Sequence, residues 1–253
     1  MLLFWQTTAL CLVTGIVSLV SANTEKTIFI APKETEVSIQ ETALATSLAW
    51  LTPHSNVKRT YIPVIFPPPE DADRPAGTES WFYLSSMTPG QRHEVRICWA
   101  ATQPTEFWLD TFTFAEVQKN PALNASVERF ILSEQLKKQS DGEDAHPNYQ
   151  TDSDDVTMSP SSSSLFLRLI AAADYFTLNE TLMQSPEPVH ADLILDPFLG
   201  NIFPKSLVPV GIYISVIAMM AWFISGFTWK FISYIADTEN ARNGGSLEQK
   251  KKA

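Results

Sequence analysis

From Ser206 to Trp229 the chain runs for 24 residues without a charged side chain, bracketed by Lys205 and Lys230. At about 1.5 Å per helical residue such a run reaches roughly 36 Å, more than the ~30 Å hydrocarbon core of a bilayer. Lipid offers no partner to a backbone N–H or C=O, so a run of this kind satisfies its own backbone as one transmembrane helix. Tyr213 near its beginning and Trp222, Trp229 and Tyr234 toward its end form a partial aromatic belt. The span at residues 206–229 leaves a large segment before it and a short tail after it.

Residues 2–20 are also uncharged and lead into Val20-Ser21-Ala22, small or branched side chains of the kind read by a signal peptidase. This reads as a signal peptide over residues 1–22, cleaved before Asn23, with an uncleaved anchor as the alternative. Lys230, Arg242, Lys250, Lys251 and Lys252 follow the span, while Lys205 stands alone just before it. Lysine and arginine next to a span stay cytosolic. The expected topology is single-pass type I, with residues 23–205 lumenal and 230–253 a cytosolic tail. The lumenal part carries 13 Lys and Arg against 25 Asp and Glu, so the overall charge of −10 belongs to that side. An acidic chain with no basic stripe argues against nucleic acid as a partner.

The chain ends Lys250-Lys251-Lys252-Ala253. On a cytosolic tail, Lys250 and Lys251 look like the dilysine signal by which coat proteins return type I proteins to the endoplasmic reticulum. The plainer reading is a basic tail resting on the anionic lipid of the bilayer. Two sequons, Asn124-Ala125-Ser126 and Asn179-Glu180-Thr181, mark N-glycosylation candidates that agree with lumenal exposure.

The lumenal part reads as mainly β. Apolar residues alternate or cluster over residues 27–30, 37–40, 61–66, 80–84, 93–99, 107–114, 165–176 and 189–195. In the clearest segment Val95, Ile97 and Trp99 point one way and Glu94, Arg96 and Cys98 the other. Turn chemistry, such as Thr88-Pro89-Gly90, separates the segments. The expected fold is a lumenal β-sandwich-like domain with one helix near residues 125–139. Residues 140–164 lose nearly all apolar content and become acidic and serine-rich, which predicts a disordered insertion.

No catalytic constellation emerges. His54, His93, His146 and His190 lack the spacing of metal ligands and read as surface or satisfied residues. Asp152-Ser153-Asp154 matches a metal-holding Asp-x-Asp pattern but stands in the serine-rich stretch, where nothing fixes a coordination geometry. Glu106 and Asp110 flank Trp108 on one strand face, without a nucleophile or second acid beside them. Two cysteines, one of them in the leader, exclude a disulfide framework and leave Cys98 as a buried, inert thiol or a partner in a mixed disulfide. No cofactor or metal is called for. On the span, Gly211, Ser215 and Ala218 share one helical face, spaced so that another helix could approach closely.

The order Glu79-Ser80-Trp81-Phe82-Tyr83-Leu84, Met87-Thr88-Pro89-Gly90, Glu94-Val95-Arg96-Ile97-Cys98-Trp99 carries a resemblance. So does the later run over residues 165–176, with Ala191-Asp192-Leu193-Ile194-Leu195-Asp196-Pro197-Phe198 and Phe203-Pro204 before the span. Together they resemble the fungal Pga1-type co-activators of GPI mannosyltransferase II. The resemblance implies a glycosylated endoplasmic reticulum membrane protein without catalysis of its own. Its implied partner is the polytopic catalytic subunit that adds the second mannose of the GPI precursor from dolichol-phosphate mannose. The main rival is an early secretory pathway cargo receptor or another subunit of an endoplasmic reticulum protein complex. Cys98 has no partner for the disulfide such receptors carry, and Pro197, Gly200 and Pro204 interrupt any heptad neck. A membrane-anchored lumenal glycosidase is a second rival, and would need a working carboxylate pair.

The topology has a direct test. Endoglycosidase should lower the apparent mass through loss of glycans at Asn124, Asn179 or both, and protease added to sealed microsomes should remove only the segment after Lys230. Digestion of the large segment before the span, with the short tail protected, would reverse the orientation.

Overall fold

Alternation of side chains across strands builds most of the region before the apolar helix. A computed structural model describes residues 23–33, 38–67, 76–140 and 163–251. The expected signal segment, residues 141–162 of the expected loop, His146, Asp152 and Asp154 lie outside the described residues. The chain divides into two units, Met1–Ile202 and Phe203–Ala253.

In the first unit, strands β1 (Thr24–Ile30), β5 (Arg92–Trp99), β8 (Val189–Leu199) and β3 (Val57–Ile62) lie side by side in that order, each antiparallel to the next. A second sheet has the order β2 (Ala49–Leu51), β4 (Thr78–Met87), β7 (Ser163–Ala173) and β6 (Thr105–Phe112). Only the short β2–β4 pairing is parallel. Val95, Ile97, Leu193, Leu195 and Ile62 of the first sheet bury against Phe82, Leu84, Leu165, Leu167, Leu169 and Phe107 of the second. Two sheets sharing one apolar interior in this way form a sandwich.

The other face of the second sheet is covered as well. Trp81, Tyr83 and Phe166 bury there against Ala45, Leu48, Val117, Leu123 and Val127. Those residues come from α1 (Ile39–Ala45) and the turn after it, α2 (Phe114–Lys119) and α3 (Pro121–Ser140). The mainly β expectation therefore holds for the two sheets, and a helical third layer is added to it.

The differences from the sequence reading have local causes. Of residues 37–40, expected as strand, Val37 lies outside the described residues and Ser38 caps α1, its Oγ accepting from the Glu41 N–H at 3.1 Å. Ile39, a core position in a strand reading, is 90% exposed. The segment expected over 107–114 stops at Phe112, because Thr113 and Glu116 form a capping box that starts α2. The Thr113 backbone and hydroxyl bonds hold the Glu116 carboxyl below its ordinary pKa. The helix expected over 125–139 begins at Pro121, whose missing N–H costs nothing in a first turn. Its Val127 is buried while Leu136, counted with the apolar face, is 57% exposed. Of the loop expected over 140–164, Ser140 closes α3 and Ser163 and Ser164 open β7.

Thr88-Pro89-Gly90-Gln91 is the turn anticipated, with the Gln91 N–H donating to the Thr88 carbonyl at 3.1 Å and Gly90 at φ +75°. It carries the chain from the second sheet into the first. Gly77 is required for another reason, since a Cβ there would stand 2.4 Å from the Ala171 carbonyl oxygen of β7.

The second unit contains the two-residue β9 (Phe203–Pro204), a 3-10 turn (Lys205–Leu207) and α5 (Val208–Lys251), 44 residues long. Residues Lys205–Thr238 are long and apolar enough to cross a membrane. In the first unit, β8 continues past the expected residue 195 to Leu199.

His93 stands fully buried on the inner face of β5, stacked on Phe29 with ring centroids 6.0 Å apart. Its Nδ1 lies 3.1 Å from the Gln91 carbonyl, whereas Nε2 has no partner, so it is only half satisfied. Burial lowers its pKa below the usual 6.5, outweighing the Gln91 bond and the field of Asp196. The unfolded chain then binds a proton that the folded chain refuses. Stability from this group is complete above about pH 6.5 and falls as the pH drops through the lowered folded value. Thermal unfolding of the full chain in detergent should show Tm decreasing from pH 7 to pH 5, and His93→Phe, which keeps the ring stack, should flatten that decrease.

Candidate functional site

Arg168 is the one charged residue of β7, and it lies on the helix-covered face, opposite Trp81 on one side and Asp110 on the other. A guanidinium in that position needs partners close by, because lost hydration is otherwise uncompensated. Its Nη2 donates to Asp110 Oδ2 at 2.6 Å, Nη1 lies 3.8 Å from Glu79, and its carbon sits 5.2 Å from the Phe112 ring centre. Ser126 of α3 completes the arrangement by accepting from Trp81 Nε1 at 3.0 Å and donating to Glu79 Oε2. The polar chain Trp81, Ser126, Glu79, Arg168, Asp110 thus ties helix to sheet. Nearby, the buried Glu41 carboxylate accepts from Tyr83 at 3.0 Å and from Ser164 at 2.7 Å. Burial pushes the Tyr83 hydroxyl pKa well up, and it stays a donor.

This arrangement decides the Glu106 and Asp110 pair. Asp110 is engaged by Arg168, while Glu106 is exposed, so the two do not converge on a reacting atom. Among the described residues, no three His, Cys, Asp or Glu side chains are placed to hold a metal ion.

On the outer face of the first sheet, Glu94 and Asp196 are direct cross-strand neighbours, and both are buried. Arg96 Nη1 lies 3.4 Å from Glu94 and 4.0 Å from Asp196, and Lys26 Nζ lies 3.2 Å from Glu94. Farther along, Arg59 grips Asp192 with two bonds, at 2.8 and 3.1 Å, and these hold the Asp192 carboxyl below its usual pKa. Cys98 is half-buried rather than buried, its Sγ 3.6 Å from the Thr24 hydroxyl, and it forms no disulfide.

A cleft of about 500 Å³ opens where the outermost strands of the two sheets face one another. Glu25 and Lys26 of β1 line one wall, and Glu106, Trp108 and Asp110 of β6 line the other. Trp99 and Phe107 meet edge to face between them, centroids 4.6 Å apart. The Trp99 indole N–H is buried and has no partner. No short sequence motif announces this cleft, since its walls come from opposite ends of the two strand orders.

The remaining residues singled out from sequence lie apart from it. Asn124 is in the first turns of α3, its Nδ2 donating to Glu128 at 2.9 Å, and the Ser126 of its sequon is buried in the polar chain. Asn179 is exposed and caps the short α4 (Glu180–Gln184), with Oδ1 accepting from the Thr181 N–H at 3.1 Å. Gly211, Ser215 and Ala218 are exposed on α5, and the Ser215 hydroxyl is bonded to the Gly211 carbonyl at 2.8 Å. Lys250 and Lys251 form the end of α5.

Comparison with known proteins assigns the chain. The family model for Pga1, the GPI-mannosyltransferase II co-activators, matches residues 13–147, more than half of the 253 residues. The chain belongs to the Pga1 family. No curated protein and no solved structure matches it. The Pga1 match takes in both walls of the cleft, α1, α2, α3 and four of the five members of the polar chain, all but Arg168. It ends before β7, so the resemblance noted over residues 165–204 lies beyond the matched part.

Ser126 joins two roles that substitution can separate. Ser126→Ala removes the glycan acceptor sequence and leaves both Trp81 Nε1 and Glu79 short of a partner, which should cost about 1–3 kcal/mol. Asn124→Gln removes the same sequon while touching only the exposed bond to Glu128, and should shift stability by less than about 0.5 kcal/mol. Denaturant unfolding of the two variants compares them, and equal losses would mean that the polar chain contributes nothing.

Proposed function

We propose that this protein is the non-catalytic subunit of the endoplasmic reticulum enzyme that adds the second mannose during GPI-anchor synthesis. The observation that carries the reading is the Pga1 family match over residues 13–147. The fold supports it in kind. Among the described residues several charged groups pair with one another, as Arg168 does with Asp110 and Arg59 with Asp192, which suits a protein that holds a shape for another to bind.

In this reading residues 1–22 are a signal peptide, and the sandwich with its serine-rich insertion is lumenal. α5 anchors it in the bilayer beside the polytopic catalytic subunit, with Gly211, Ser215 and Ala218 as the face that lets a neighbouring helix come close. Asn124 and Asn179 carry glycans, and Lys250 and Lys251 are read by coat proteins that return escaped molecules. The chain itself binds no cofactor, and dolichol-phosphate mannose is the substrate of its partner.

Depletion of the protein should cause the GPI precursor with a single mannose to accumulate, because the first transfer continues while the second fails. Lipid extraction and chromatography of the labelled precursors measures this. Replacing Asp152 and Asp154, the residues of the Asp-x-Asp pattern, with their amides should leave complementation intact, since neither is asked to hold a metal. Normal intermediates accompanied by delayed export of particular secretory proteins would favour the cargo-receptor reading instead.

A further inference from the structure

A strand bonded on one side only leaves about half of its backbone N–H and C=O groups pointing outward. β1 and β6 are both such strands, and the cleft lies between them. β6 pairs with β7 through eight consecutive residues, Thr105↔Ala173 to Phe112↔Phe166, with no shift of register. Along those residues it has no lysine, no proline and no bulge, the usual means of keeping an edge from pairing. Trp108 and Leu109 are only partly covered. The edge is thus regular, its charges are two carboxylates, Glu106 and Asp110, and it can accept a strand that brings cations to them.

The charges around it are unequal. Lys26 is paired with Glu94, and Asp110 with Arg168. Glu25 and Glu106 are both exposed and have no ion-pair partner among the described residues. The cleft therefore offers two carboxylates without ion-pair partners, a strand edge bonded on one side only and the partly covered Trp108. A second copy of β6 is a poor match, because it would set Glu106 and Asp110 of both copies against each other with no added cation.

We propose that this cleft receives an extended, lysine- or arginine-bearing segment of the catalytic subunit, which adds a strand to the β6 edge. Strand addition provides the main-chain bonds, Glu25 and Glu106 meet the basic side chains, and Trp108 receives a cationic stem across its ring. The inference rests on the reading of this chain as a mannosyltransferase subunit and adds the surface through which it acts.

The test uses the full chain in its own membranes. A photo-crosslinking residue at Trp108 should form an adduct with one stretch of the catalytic subunit, identified by mass spectrometry, and the same residue at the exposed Glu187 should not. The double variant Glu25→Lys with Glu106→Lys should lower recovery of the catalytic subunit about tenfold at an unchanged level and unfolding midpoint of this chain, whereas Glu187→Lys should leave recovery unchanged. Undiminished recovery with the double variant, or a Trp108 adduct to a second copy of this chain, would overturn the docking while leaving the subunit reading in place. Absence of the catalytic subunit from the purified unaltered protein would sink both.

Discussion

Burial of β7 on both faces is the constraint from which the rest of the first unit follows. Leu165, Leu167 and Leu169 fill the space between the sheets, and Phe166 with Ile170 turns to the helices. A strand with apolar side chains on both sides cannot border water on either, so a two-layer sandwich would leave one face of it bare. α1, α2 and α3 supply the missing cover, α1 from a segment before β4 and the other two from the segment between β6 and β7. The β4 and β6 pairings on either side of β7 then fix which strands become edges.

Arg168 is the exception in that strand, and its surroundings show how a charge is tolerated there. Its partners come from β4 and β6, with an aromatic ring from the end of β6 beneath the guanidinium. Through Glu79 and Ser126 the same charge reaches α3. The side chains of Arg168, Glu79 and Asp110 are 22%, 34% and 45% exposed, so water screens these pairs and their net contribution is modest. The role of Arg168 is thus to specify how the helix docks on the sheet, more than to add net stability.

Much of this was legible in the sequence wherever the signal was local. The alternation over residues 93–99, the Thr88-Pro89-Gly90 turn and the apolar run of β7 all announce themselves, as does the uncharged stretch in α5. The capping patterns Ser38-x-x-Glu41 and Thr113-x-x-Glu116 were also written there. They were outweighed by Ile39 and Phe114, whose apolar side chains imitate a continuing strand. The long-range partners had no local sign. Asp110 looks like a solvated carboxylate until Arg168, 58 residues away, is placed beside it. The cleft depends on sheet order, which alternation along single strands does not encode.

The place of β7 in the chain has a consequence for biosynthesis. β4 and β6 are its two neighbours, yet β7 begins about fifty residues after β6 ends. At synthesis rates of roughly 5–20 residues per second, the interval before it emerges is on the order of 3–10 s. For that time β6 is without its partner, β4 is paired at most through the three residues of β2, and the apolar faces meant for β7 stand open. The nascent chain therefore passes through a defined window in which it is adhesive, and whatever shields it must act before α5 has left the ribosome.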